Sequence, residues 1–521
     1  MEDHPWIKLK KYPHIGFPLE PKDISYLENY ITNPVIIAKH SFLPLLHRTI
    51  FQRKFRANTN GFKNKSKKRR RVHLEPKARE IFFAGHFDAQ IYSYYSYILS
   101  EKYETFLKTK SFKKAIVAYR KIEIEGKKDK HKCNIDFALE AFQFIKNNKE
   151  KELTVIVADI TKFFDNLDHK ILKQKWSEVW DASKTLPKDH YRVYKSLINM
   201  RYVNEDLLFR NYKDRIWVKT YIENDSKKSQ KRQKSIKHKR YLKDNNAIAY
   251  CDKTDFFKNS LNLITKSTRS EGIPQGTALS ATLANIYMMD FDQAVQDFID
   301  SDNVKGFYQR YSDDLIIVIP REFQEETIKR LRSLVYNKVK LEIHTDKTKV
   351  YQFQEVNGTF KGFEVDELTG EKTNKELEYL GFEYNGQRAI LKTAGYSKFY
   401  RAMKRSFKRS TSLAINAKST DDKIHKSALY KRFTYKGAKR RKLYTPDPLN
   451  PNKFKESFRY DWGNYLSYVN KANDAFRHFN QGDQIKRQSR KAWSNFHVLM
   501  VKSLNKIETK KKLSSSYKKK S

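Results

Sequence analysis

Apolar residues recur at three- and four-residue spacing through "FDAQIYSYYSYILSEKYETFL", which predicts a helix running from Glu80 to Leu107. "NIDFALEAFQFIKNN" (134–148) keeps the same spacing and predicts a second. The pattern then changes. "LTVIVADI" (153–160) is short, continuous and rich in β-branched residues, so it predicts a buried strand. "TALSATLANIYMMDFDQAVQDFI" (277–299) predicts one long helix, and "GFYQRYSDDLIIVI" after it predicts a strand, a tight turn and a strand. The first 75 residues read as short helical pieces interrupted by Pro5, Pro13, Pro18, Pro21, Pro34 and Pro44. Residues 201–270 are polar and basic, which predicts an insertion. Beyond residue 400 the pattern is mainly basic and helical, as in "YSKFYRAMKRSFKRS" and "DWGNYLSYVNKANDAFRHF". No fixed-period repeat is present.

Charge narrows the class of partner. The 521 residues hold 106 Lys plus Arg against 60 Asp plus Glu, a formal charge of +46, which calls for a polyanion. The excess gathers in runs: "KNKSKKRRR" (63–71), "KKSQKRQKSIKHKR" (227–240) and the terminal "KKKLSSSYKKKS". A single run is an ordinary solvated segment, but three on so basic a chain favour phosphate backbones. With 32 Tyr and 34 Phe there are aromatic faces for bases as well as for a core. No apolar stretch approaches the ~20 residues of a membrane span, and "MEDHPWIKLKKYPH" lacks a signal-peptide core. A chain without a membrane role is therefore expected. Cys133 and Cys251 stand far apart, outside any metal spacing, which fits a reduced cytoplasm and argues against structural zinc.

Candidate chemistry begins with two adjacent carboxylates, Asp313 and Asp314, directly before the apolar run Leu315–Ile319. Asp pairs between strands are commonly plain turn residues. Two like charges kept together also suit a divalent cation, and Mg²⁺ prefers hard carboxylate oxygens shared with substrate phosphates. A third carboxylate, Asp159 in "VADITKFFDNLDH", closes the predicted 153–160 strand; alone it reads equally as a cap. Together the three are able to hold two Mg²⁺ ions roughly 3.5–4 Å apart for phosphoryl transfer. Between them, "EGIPQGTALSATLANIYM" (271–288) places Gly272, Pro274 and Gly276 in a tight loop feeding a helix. That is either a plain helix entry or a place where backbone approaches a ligand.

In this order, "ADITKFFDNLDH", "GIPQGTALSATLANIY" and "YSDD" resemble motifs A, B and C of reverse transcriptases. The style is that of bacterial enzymes of the group II intron, retron and abortive-infection or defence-associated groups. "KAREIFFAGHFDAQIYSYYSYILSEKYE" (77–104) and "AYRK" (118–121) resemble the fingers blocks, although Glu80 stands where a proline is common. "LEIHTDKTKVYQF" looks like motif D and "LEYLGFEYNG" like motif E, the primer grip. The resemblance covers residues 75–400.

The resemblance implies an α+β right-hand polymerase fold, with fingers, a palm built on a split βαβ sheet, a thumb, and a mainly helical basic C-terminal extension. The corresponding division is an N-terminal extension (1–75), fingers (76–150), a palm (151–390) with a basic insertion at 201–270, and a helical thumb with an RNA-binding extension (391–521). Carried over residue by residue, Asp159, Asp313 and Asp314, with the carbonyl of Ile160, are the ligands of two Mg²⁺ ions, for which Mn²⁺ is a substitute. Lys77, Arg79 and Arg120 match positions that clamp the incoming triphosphate, and Gln275 and Gly276 would line the nucleotide pocket. Phe164 falls at the steric gate beneath the sugar, leaving no room for a 2′-hydroxyl. Its alternative is a core ring paired with Phe163. Lys347 matches the motif D lysine that protonates pyrophosphate, or is an ordinary surface lysine. Ser312 replaces the commoner alanine.

No HNH-type nuclease cluster, integrase or RNase H carboxylate set is recognisable. "LYKRFTYKGAKRRK" (429–442) interleaves basic and aromatic residues as an RNA-backbone surface would. The layout looks most like the stand-alone "unknown group" reverse transcriptases that defend bacteria against phage, several of which work with a structured non-coding RNA. The expected partners are such an RNA as template, deoxynucleoside triphosphates and a DNA product; the family also allows a homo-oligomer. Two alternatives stay open. One is template-independent or protein-primed DNA synthesis, and the other is an RNA-binding, maturase-like scaffold.

Overall fold

Six strands, each antiparallel to its neighbours, form the central sheet, in the order Phe307–Tyr311, Asp314–Pro320, Leu153–Asp159, Lys349–Val356, Thr359–Val365, Lys372–Thr373. The computed structural model describes residues 4–57, 71–181, 185–222, 225–367, 369–416, 424–439, 441–446, 453–461 and 463–518. The two central strands are continuous apolar runs because both faces of the sheet are covered. Leu315, Ile317 and Ile319 join Ile156 and Ala158 in one core, while Ile316 and Val318 join Leu153 and Val155 in another. The period-2 alternation of a strand thus feeds two cores.

The first core holds the helices His86–Leu107, His169–Asp181 and Ala278–Tyr287. The second holds Asn134–Asn147, the three-stranded sheet Leu377–Tyr379, Phe382–Tyr384, Ala389–Leu391, and the C-terminal helices Thr393–Asn416, Tyr465–Phe476 and Ala492–Lys518. Among the described residues no helix is long and apolar enough to cross a membrane.

Several elements depart from the sequence pattern. The helix expected from Glu80 starts at His86, because residues 71–83 form a strand paired with Leu45–Ala57 and Glu80 accepts a hydrogen bond from Thr49 Oγ1 at 2.9 Å. The N-terminal segment is therefore not only short helices. The 277–299 stretch is two helices, Ala278–Tyr287 and Met289–Ile299, broken at Met288. The C-terminal region includes the hairpin Arg441–Pro446 and Phe454–Asp461. The region expected as a basic insertion, 201–270, shares sheets with the N-terminal segment. Arg201–Asn204 pairs with both Leu45–Ala57 and Ile264–Lys266, and Ala247–Cys251 pairs with His14–Ile15 and Ile216–Ile222. The expected N-terminal extension and mid-chain insertion thus complete shared sheets, with a third core around Ile15, Leu46, Val203 and Tyr250. Most of the 63–71 basic run lies outside the described residues, as do the last three residues of the chain.

Candidate active site

Asp159 ends its strand directly opposite Asp314, the first residue of the neighbouring strand. Asp313 does not sit on that strand. It belongs to the two-residue turn with Ser312, whose φ of +64° is left-handed. The turn removes the constraint that would send adjacent strand side chains to opposite faces. Ile160 is buried, and its N–H donates to the Asp313 carbonyl at 3.1 Å, clamping the two chain segments together.

The electrostatics of the three carboxylates are unfavourable on their own. Burial, followed by repulsion from Asp313 and Asp159, pushes the Asp314 carboxyl up to about 6. Burial also raises Asp313, with Asp159 adding to it and Lys347 and Lys77 opposing it. Lys347 makes an ion pair with Asp159. It is placed there because His344 N–H donates to the Asp159 carbonyl at 2.8 Å and Thr161 N–H to the Glu342 carbonyl at 2.9 Å. Among the described residues no three His, Cys, Asp or Glu side chains close on one point as a metal cluster. The donor set nonetheless suits a hard divalent cation, since all the oxygens are carboxylate or carbonyl and their mutual repulsion is only partly offset by lysine.

Beside the carboxylates, Phe163–Asp165 is one turn of 3-10 helix rather than strand. Phe163 is buried in the first core, and Phe164 is half-buried and packs against the same core. Gly272 N–H donates to Leu167 O at 2.8 Å and Ile273 N–H to Phe164 O at 2.9 Å, zipping this turn to the loop that carries Gln275 and Gly276. Phe82 N–H donates to Gln275 O at 2.7 Å, tying in the strand that bears exposed Lys77 and Arg79. Gly276 is required there: its φ is +124°, and a Cβ would lie 2.3 Å from the Phe82 carbonyl oxygen.

The structure thus brings together Asp159, Asp313, Asp314, Ile160 and Lys347, with Phe164, Gln275 and Gly276 adjoining and the Lys77/Arg79 strand pinned to them. Arg120 is the exception. Its guanidinium is 5% exposed, bonded to the Glu104 carboxylate at 2.7 and 2.8 Å and to the carbonyls of Lys113 and Ile116 at 2.6 Å each. Four donor contacts already occupy it, so it ties the helix bearing Glu104 to the Lys113–Ile116 turn instead of reaching for a triphosphate.

Sequence reading missed the residues that hold the turn. Arg310 and Asp292 are both 0% exposed and joined by bonds of 2.8 and 2.7 Å, and Tyr308 OH donates to Asp292 at 2.7 Å. Burial works against both charges; Asp292 outweighs it for Arg310, whose pKa is raised, and burial prevails at Asp292. Arg310 also donates to the Ser312 carbonyl at 3.1 Å and to Asn285 Oδ1 at 3.3 Å. Exposed Tyr119, beside Arg120, meets the Ser312 hydroxyl at 3.1 Å. The one available signal was a charged residue placed next to a fully apolar strand.

Residues 214–384 match the family described as reverse transcriptase (RNA-dependent DNA polymerase), a span that includes Gln275, Gly276, Asp313, Asp314 and Lys347 and leaves Lys77, Arg79, Asp159, Ile160 and Phe164 upstream of it. No curated protein sequence matches the chain. Among solved structures, the telomerase of Candida tropicalis truncated from its C-terminal domain is 12% identical over 69% of this chain and 61% of its own, with a TM-score of 0.33. The telomerase of Candida albicans in complex with a TWJ fragment of telomeric RNA is 11% identical over 97% of this chain and 72% of its own, with a TM-score of 0.37. This chain therefore spans less than two thirds of the first of these. Over residues 214–384 the chain is similar to reverse transcriptases.

Proposed function

We propose, from the similarity of residues 214–384 to reverse transcriptases, that the chain copies a structured non-coding RNA into DNA by two-metal phosphoryl transfer, in the cytoplasm of a bacterium defending itself against phage. The observation that carries the mechanism is the pairing of Asp314 with Asp159 across adjacent strands, with Asp313 on the adjoining turn. Asp159, Asp313, Asp314 and the Ile160 carbonyl would hold magnesium, for which manganese is a substitute. Bound there, the metal would lower the pKa of the primer 3′-hydroxyl and neutralise the leaving pyrophosphate.

The chain's own residues account for the remaining tasks. Lys77 and Arg79 grip the triphosphate, Arg providing a permanently charged fork. Phe164 presses against the sugar and excludes a 2′-hydroxyl, and Gln275 and Gly276 present the pocket floor. Lys347, which pairs with Asp159, would serve as the proton donor to the leaving pyrophosphate. The RNA partner is supported by the charge of +46 and by the basic and aromatic C-terminal region. The defence role rests on the sequence resemblance alone.

The test is to purify the protein from its native operon beside an Asp313→Ala/Asp314→Ala variant and to sequence the nucleic acid that accompanies each. A discrete RNA in both, with complementary DNA only in the wild type, is the expected result. RNA without DNA in either sample, during phage infection as well as before it, would overturn the polymerase reading in favour of a scaffold. DNA with no complement in the bound RNA would overturn templating in favour of untemplated synthesis, and DNA covalently attached to the protein would identify protein priming.

A further inference from the structure

The N-terminal segment and the 201–250 region have no part in the candidate active site, yet they meet at a cavity of about 710 Å³ whose walls are strongly basic. Lys11, Tyr12 and Pro13 form one side and Arg48 and Thr49 another, with Lys219, Lys239, Arg240 and Lys243 completing it. Six cations line the cavity against two carboxylates, Glu205 and Asp206.

Glu205 organises the wall. It is 1% exposed and takes up Arg48 Nε at 2.6 Å, Tyr250 OH at 2.9 Å and the Lys239 ammonium. Burial alone would raise its carboxyl, but Arg48 and Lys239 hold it below the ordinary value. Lys239 also reaches Asp206 at 2.7 Å. Both carboxylates are thereby matched by Arg48 and Lys239. Lys11, Lys219, Arg240 and Lys243 remain, and none of them makes an ion pair with a described residue. Arg240 is held over the Tyr241 ring at 4.7 Å, which sets its direction before any ligand arrives.

Four uncompensated cations, gathered around one cavity from segments more than two hundred residues apart in sequence, repel one another unless a polyanion sits among them. We propose that this cavity is a phosphate-recognition site for the RNA partner, separate from the catalytic carboxylates, in which Lys11, Lys219, Arg240 and Lys243 contact backbone phosphates. The proposal rests on the RNA-partnered reading above. It gives the N-terminal segment and the basic run ending at Arg240 a shared task, anchoring RNA while the active site copies it.

The experiment uses the full chain and a mixed-sequence RNA stem-loop with a single-stranded flank. Lysine acetylation by an N-hydroxysuccinimide ester is followed by mass spectrometry with and without this RNA. Lys11, Lys219 and Lys243 should be protected severalfold while Lys149 and Lys329, exposed and outside the cavity lining, stay reactive. A K11Q/K219Q/R240Q/K243Q variant should lower the slope of log affinity against log salt by about 3, since each phosphate contact contributes roughly 0.7–0.9. A K149Q/K151Q/K329Q/K338Q variant should lower it by less than about 1. Extension of oligo(dT) on poly(rA) at saturating substrate should be unchanged in both. Equal protection at all lysines, or equal slopes for the two variants, would overturn the site while leaving RNA-templated synthesis intact. Displacement of the RNA from these lysines by excess ATP would also overturn it and assign the cavity to a mononucleotide.

Discussion

Replacing Asp292 with asparagine should loosen the turn that carries Asp313 even though Asp292 touches no substrate. The Arg310–Asp292 pair is 0% exposed on both sides and makes two charge-assisted bonds, of 2.8 and 2.7 Å. Breaking a buried pair from one side costs about 3–5 kcal/mol, because the surviving charge stays desolvated. That cost falls on the 307–320 hairpin, where Arg310 resides. Hydrogen exchange of its amides should accelerate by about 10²–10³-fold or more, at 1.4 kcal/mol per factor of ten. Asp292 also anchors Arg310 where it donates to the Ser312 carbonyl at 3.1 Å, so unanchoring the guanidinium puts at stake a charged hydrogen bond worth about 1.5–3 kcal/mol. Felt wholly in the transition state, that is about a 10- to 100-fold drop in kcat. An Arg310→Met/Asp292→Leu double variant should recover most of the exchange protection, since well-packed apolar side chains can replace a buried pair. It should not recover kcat, because replacing Arg310 with Met removes the donor to the Ser312 carbonyl outright. Exchange within tenfold of wild type in Asp292→Asn, together with unchanged kcat, would refute the reasoning.

Phe164→Val should lower the preference for deoxynucleotides over ribonucleotides by about 10- to 100-fold in kcat/KM, the 1–3 kcal/mol expected when a few methylenes leave a pocket wall; unchanged selectivity in single-nucleotide extension would return Phe164 to the core. Gly276→Ala should cripple primer extension and lower Tm, since its Cβ would meet the Phe82 carbonyl oxygen at 2.3 Å, whereas Gly370→Ala, with nothing within 4 Å, should show only the backbone cost of its φ of +69°, about 1 kcal/mol. The raised carboxyls of Asp313 and Asp314 bind protons more tightly folded than unfolded, so between the ordinary value of 3.8 and about 6 the metal-free protein should lose stability as pH rises. Magnesium should therefore raise Tm more above pH 6 than below it, and Asp313→Asn/Asp314→Asn should abolish that difference in thermal-shift measurements; an equal magnesium effect in the double variant would show that the ion binds elsewhere.

By itself the sequence determined the parts whose information is local. The apolar run after Asp314 and the β-branched run before Asp159 each specify a buried strand within a window of seven residues. The Gly-Ile-Pro-Gln-Gly stretch (272–276) specifies a turn, because Gly276 at positive φ admits no side chain without strain. The two strands and the turn between Gly272 and Gly276 are legible for that reason, and the family match over residues 214–384 covers the second strand and the turn.

Tertiary structure alone decided the partners. Arg120 was read as a ligand for phosphate, but Glu104 and two carbonyls arrive to occupy it, and nothing in "AYRK" encodes that encounter. Arg310 lies within the quoted motif, yet its role depends on Asp292 from a helix that the sequence pattern joined to the one before it. The basic strand Asp225–Lys234 carries no apolar alternation, and its place in a sheet comes from pairing with Ile216–Ile222. Periodicity records which face of an element is apolar. Which distant charge or strand edge meets that element is settled only when burial forces unpaired donors, acceptors and charges to find one another.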